Sequence, residues 1–185
     1  MEGILFTFWG LWLLLVVVAA VRVFIFLITL RSQEKRWGDG SSNQESAAVI
    51  VAVKGFDQKA TPAFFDALFA QDYSNYRVLV TFESWQDPVA VWLLDQLELS
   101  PNKATWVHPD PSAGLHSISL ICAGESVSEG QKVHNQRVAF EQLTESDRVI
   151  AFADGDSSMK SNWLALLTAP INQRTHPLAT TYRWL

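Results

Sequence analysis

Ala47-Ala-Val-Ile-Val-Ala-Val53, closed by Lys54-Gly55, is a continuous apolar run rich in β-branched residues. Its length and its lack of polar gaps mark a strand buried on both faces. Downstream, segments of two kinds alternate. Thr61-Pro62 predicts a helix start, with a capping hydroxyl and Pro at the first helical position. Phe64, Phe65, Leu68 and Phe69 follow at helical spacing. Tyr76-Arg-Val-Leu-Val-Thr-Phe82 reads as a second strand. Asp87-Pro88 opens a second helix by the same device, with Val91, Leu94 and Leu97 expected inward. Ala104-Thr-Trp-Val-His108 is a short third strand. Gly130 to Leu143 predicts a helix with Val133, Phe140 and Leu143 along one side. Arg148-Val-Ile-Ala-Phe-Ala153 reads as a fourth buried strand, ending at Asp154-Gly155-Asp156. A helix around Trp163–Leu167 and a strand around Leu178–Trp184 complete the pattern. Strands alternating with helices define an α/β domain with a mostly parallel sheet.

Upstream of this body the composition changes. Residues 1–30 hold two charges, Glu2 and Arg22, and Gly3 to Val21 holds none. A helix needs about 20 apolar residues to cross the hydrocarbon core. The run resumes after Arg22 as Val23-Phe-Ile-Phe-Leu-Ile-Thr-Leu30, so residues 1–30 are expected to form a transmembrane anchor. Arg22 would snorkel to one interface while Trp9 and Trp12 suit the other. A cleaved signal peptide is the competing reading; no basic residue precedes the run, and the run exceeds a typical signal core. Arg31, Lys35 and Arg36 follow the span and only Glu2 precedes it, which by the positive-inside rule puts the body in the cytoplasm. Residues 31–46 then form a juxtamembrane linker, flexible where Gly38-Asp-Gly-Ser-Ser-Asn-Gln-Glu45 is small and polar.

The chain is 49% hydrophobic, too apolar for a disordered protein, and its net charge of −5 with no Lys/Arg run argues against a nucleic-acid partner. The single cysteine, Cys122, excludes an internal disulfide and reads as a small packed residue. No Gly-x-Ser-x-Gly, P-loop or Gly-x-Gly-x-x-Gly occurs. His134 lacks a second His or Cys at zinc-ligand spacing.

Ligands of parallel sheets collect beyond the carboxyl ends of strands. Asp154 and Asp156 stand there, flanking a glycine; paired carboxylates hold a hard divalent cation, which in turn neutralises a diphosphate. The same tripeptide is also ordinary turn composition. Glu83 follows the second strand with no structural duty and suits a ligand contact, whereas Asp87 before Pro88 is first a helix cap. Lys132 sits in the first turn of its helix, where the macrodipole disfavours a cation, and so points to an anionic partner.

These residues together resemble the amino-terminal part of a family-2-type glycosyltransferase with the GT-A fold, of the ceramide-glucosyltransferase-like branch. The features come in order: Lys54-Gly55-Phe56-Asp57 after the first strand; Gln71-Asp72-Tyr73-Ser74-Asn75-Tyr76, similar to the family's QDYPxY; Glu83-Ser84-Trp85-Gln86-Asp87-Pro88, similar to its (D/E)SxxDPA; Lys132-Val133-His134-Asn135, similar to its KVxN; Asp154-Gly155-Asp156 at the DxD position; and Thr180-Thr181-Tyr182-Arg183, similar to its VTxxYR. The resemblance covers residues 47–185 and implies the donor-binding part of a GT-A domain, with a Rossmann-like, mostly parallel sheet. It implies transfer of a hexose from a nucleotide-diphosphate donor, often UDP-glucose, to a lipid. Lys54 and Glu83 would line the nucleoside pocket, Asp154 and Asp156 would hold Mg²⁺ or Mn²⁺ against the diphosphate, and Lys132 would approach the phosphates. Val51-Ala52 replaces the family's Lys-Pro, and Gly130 stands where Asn is usual. The family's acceptor-activating base and its Gln-x-x-Arg-Trp motif would lie beyond Leu185, so the domain is expected to be incomplete and this chain inactive by itself.

Two other readings compete. A phosphatase of the haloacid-dehalogenase type also carries Asp-x-Asp after an apolar strand, but there the strand opens the domain and Thr or Val stands where this chain has Ser158. A non-catalytic module could use the anchor and apolar body to bind another membrane protein.

Overall fold

The computed structural model describes residues 2–37 and 43–180; in the first stretch, side chains are described for residues 9–29 and 32. The chain divides into two compact units, residues 1–38 and 39–185. The first is one helix, α1 (Glu2–Trp37). Its segment Trp9–Thr29 is long and apolar enough to cross a membrane, a property it shares with amino-terminal signal sequences. Within it the Thr29 hydroxyl donates to the Ile25 carbonyl at 2.8 Å, so this polar group is satisfied inside the helix. Trp9 and Trp12 meet edge to face at 6.1 Å.

The second unit runs β1 (Ala47–Ala52), α2 (Ala60–Phe69), β2 (Tyr76–Phe82), α3 (Pro88–Gln96), β3 (Thr105–Val107), β4 (Leu115–Cys122), α4 (Gln131–Phe140), β5 (Val149–Asp154) and α5 (Trp163–Asn172). The sheet order is β3-β4-β2-β1-β5. Every pairing is parallel except β3 with β4. The expected α/β architecture with a mostly parallel sheet is therefore the one present. Alternate residues of β1 serve two layers. Val49 and Val51 join Phe64, Phe65 and Leu68 of α2, Val89, Ala90 and Leu93 of α3, and Leu164 and Ala165 of α5. Ile50 joins Leu79 and Ala139 in a smaller cluster under α4.

Several expectations are corrected. Helix α2 begins at Ala60, one residue before Thr61, because Asp57 does the capping: its Oδ1 accepts from the backbone N–H groups of Lys59 and Ala60 at 2.8 and 2.7 Å. These bonds, Ala60 first, hold the Asp57 carboxyl below its ordinary value. Thr61 instead accepts the Asp57 N–H through Oγ1. On α3 the inward face is Val89, Ala90 and Leu93; Val91 is exposed, and Leu94 and Leu97 are only partly covered. Strand β5 is buried on one face alone: among the described strands it forms an edge, and Phe152 is exposed. Helix α4 turns two of its expected stripe residues outward: Val133 and Phe140 are exposed, the buried residues are Asn135 and Ala139, and Leu143, just past the helix end, packs against the smaller cluster. Residues 178–180 are irregular where a strand was expected, and the rest of that segment, including Tyr182, Arg183 and Trp184, lies outside the described residues.

Strand β4 escapes a periodicity reading for a physical reason. Tyr76 pairs with Leu115, but Arg77 pairs with Ser117, so the ladder bulges at His116. Leu115 and Ile118, three apart, are both buried, and strict alternation is broken. Just before it, Gly114 passes against the chain at Tyr73: an added Cβ would lie 2.0 Å from the Tyr73 carbonyl oxygen, a position only glycine can take.

Candidate functional site

The order of strands locates a crevice. The chain steps from β1 to β2 and β4 in one direction, then returns to place β5 on the other side of β1. Such a reversal opens a gap beyond the carboxyl ends of the two strands at the switch, here β1 and β5. Ala52 and Asp154 are register partners at that edge. A cleft of about 380 Å³ lies there, lined among others by Lys54, Phe56, Lys132, Asp154, Gly155 and Asp156. Gly155 lies close to β1, since a Cβ on it would come within 2.8 Å of Val53 Cγ1.

Four of the five residues singled out from sequence meet in two ion pairs. Lys54 Nζ donates to Glu83 Oε2 at 2.7 Å, and this hydrogen bond and the Glu83 charge hold the ammonium above its ordinary pKa. Lys132 Nζ donates to Asp154 Oδ1 at 2.5 Å. Asp156 is exposed and joins the same lining. Asp87 carries more than the capping role read from sequence. Its Oδ1 accepts from the Val89 N–H, as a cap should, and also from the Gly55 N–H, both at 3.0 Å. Gly55 has φ +72°, a left-handed turn that suits glycine. The carboxylate therefore ties the turn after β1 to the start of α3.

Helix α4 brings Lys132 to the cleft through polar contacts. Gln131 Nε2 donates to the Gly124 carbonyl at 2.8 Å and to Asn135 Oδ1 at 2.7 Å, and its Oε1 accepts from the Ser126 N–H. His134 Nε2 donates to the Ala123 carbonyl at 2.9 Å. The His and Asn of the Lys132–Asn135 stretch thus anchor the helix and leave the lysine free to project. Gln71 does the same for the loop after Asp156: Nε2 donates to the Lys160 carbonyl, and Oε1 accepts from the Leu164 N–H. Tyr73 donates its hydroxyl hydrogen to the Glu45 carbonyl at 2.6 Å, fixing the irregular segment that leads into β1. Cys122 is half-buried and its thiol faces the Glu83 carbonyl at 3.5 Å.

Among the described residues, no group of three or more His, Cys, Asp or Glu side chains gathers as a protein-only metal cage. The donor set at the cleft, two carboxylates on one turn, suits Mg²⁺ or Mn²⁺ in its other common mode, completed by ligand phosphates and water. A second, larger cleft of about 1110 Å³ runs along β5 and shares Asp154 and Asp156 with the first. Met159, Trp163, Leu167 and Ile171 give it apolar walls.

No protein-family profile matches the chain, and no curated protein does. Among solved structures, the crystal structure of S. aureus TarS 1-349 is similar, with a TM-score of 0.46 and 18% identity over 70% of this chain and 33% of that one. This chain thus spans about a third of the length of that structure.

Proposed function

We propose that residues 47–185 are the donor-binding part of a GT-A glycosyltransferase of the ceramide-glucosyltransferase-like type, held to a membrane by residues 1–30 with its body in the cytoplasm. Its donor is a nucleotide-diphosphate sugar, a UDP-hexose, and its acceptor a lipid. The observation that carries this reading is the switch-point cleft, where Lys54, Lys132, Asp154 and Asp156 converge from β1, α4 and β5. Lys54 lines the nucleoside side with Glu83 paired to it beside the lining, and Lys132 meets the phosphates at the start of its helix, where backbone N–H groups also favour anions. Asp154 and Asp156 hold the divalent cation. Mg²⁺ or Mn²⁺ supplies charge neutralisation of the departing diphosphate when bound. The apolar cleft that shares the two aspartates suits a lipid approaching the same point.

Membranes carrying the chain, washed at alkaline pH and then exposed to a photoreactive UDP-glucose analogue, test both halves of the reading. Apolar burial is not screened by ions, so the washed chain should stay in the pellet. It should then be labelled in Mn²⁺, with UDP competing. Release of the intact chain into the supernatant would remove the anchor, and labelling indifferent to UDP would remove the donor.

A further inference from the structure

We infer that Lys132 is a latch on Asp154, an internal cation that holds the carboxylate until a nucleotide diphosphate draws the lysine away. This rests on the reading of Asp154 and Asp156 as the cation-binding pair. The 2.5 Å pair is built from two exposed side chains, 57% and 58% accessible, so it forms and exchanges at little cost. Among the described residues no other carboxylate pairs with Lys132, and its helix end disfavours a positive charge. Lys54 is already committed to Glu83. An incoming divalent cation alone must therefore share the Asp154 carboxylate with Lys132 or displace it, and either way two cations are left close together. An incoming diphosphate gives Lys132 a new anionic partner and frees Asp154 in the same movement. Cation and nucleotide consequently bind with positive coupling, and by linkage each strengthens the other equally.

The test is the binding of Mn²⁺ to the full chain in lipid nanodiscs, followed by the loss of the free-ion paramagnetic resonance signal, with and without UDP. The signal of Mn²⁺ bound by UDP in solution is subtracted. UDP should tighten Mn²⁺ binding by about fivefold or more, the lower end of ordinary coupling. Lys132→Gln should bind Mn²⁺ alone about two- to fivefold more tightly than the native chain, as expected from release of an exposed ion pair. The tightening by UDP should shrink in that variant. Lys160→Gln removes the same charge from the loop after Asp156, where no hydrogen bond or ion pair joins it to Asp154 among the described residues, and should leave Mn²⁺ binding unchanged. Equal gains in the two variants, or no gain in Lys132→Gln, would overturn the latch. Asp154→Asn separates the two levels: Mn²⁺ binding unaffected by that change would overturn the cation-binding reading itself, and the latch with it.

Discussion

Asp154→Asn and Asp156→Asn are each expected to weaken binding of UDP-glucose in Mn²⁺ by at least about 10–100-fold, the loss that even outer-shell changes produce at metal sites. The amide keeps the size and shape of the carboxylate but gives up its charge, and a hard cation prefers charged oxygen ligands. The fold should be untouched. Asp154 and Asp156 are exposed at a strand end, where substitutions usually change stability by less than about 0.5 kcal/mol. Calorimetric titration gives the affinity, and thermal unfolding gives the control. Native affinity in both variants would remove the two carboxylates from the site.

The second large effect is one of stability, at the opposite end of the sheet. Arg77 on β2 grips Asp147 by two hydrogen bonds, Nε to Oδ1 at 2.8 Å and a terminal nitrogen to Oδ2 at 2.6 Å. The Asp147 side chain is only 5% exposed. Thr144 adds its N–H and hydroxyl to the same carboxylate. Burial alone would raise the Asp147 carboxyl, but the bonds from Arg77 and Thr144 hold it below its ordinary value. Arg77→Met leaves a buried charge without its partner and should cost about 2–4 kcal/mol at pH 7. The sign of the pH dependence follows. A depressed carboxyl contributes stability above its unfolded pKa of about 3.9 and loses it as pH falls through the lower folded value. In the variant, burial is no longer offset by Arg77, so Asp147 protonates earlier and sheds its unpaired charge. The gap between native and variant chains should therefore narrow as pH falls below about 5. Denaturant unfolding at pH 7 and pH 4 measures it; a gap of equal size at both would contradict the role given to the pair.

Much of the fold is legible where burial and periodicity agree. β1 is a continuous apolar run, and β2 is one but for Arg77 and Thr81, because helices cover both their faces, and the capping role of Asp87 is written in its place before Pro88. Legibility fails where a second constraint intrudes. The bulge at His116 breaks the alternation of β4. Helix α4 buries Asn135 because Gln131 satisfies it, so polarity stops marking the outer face and Val133 is left outside. At the site, the strand-end positions of Lys54, Glu83 and Asp154 follow from the order of elements. Their partnerships do not, because Lys54 meets Glu83 across 29 positions and Lys132 meets Asp154 across 22. Lys54 meets Glu83 because β1 and β2 pair in parallel, and Asp154 reaches the cleft because β5 returns beside β1, topological choices that no local pattern encodes. Gly114 is likewise silent in sequence, since its need arises from a carbonyl of Tyr73 brought against it by folding.

The proposed function makes the cleft beyond the ends of β1 and β5 a cation-dependent site for a nucleotide-diphosphate sugar. Calorimetric titration of UDP-glucose into the full chain in nanodiscs, once in Mn²⁺ and once in EDTA, tests it most directly. Saturable binding of one donor per chain in Mn²⁺, lost in EDTA and restored by adding the cation back, is the predicted result. Binding of equal affinity in EDTA, or none in either condition, would contradict it.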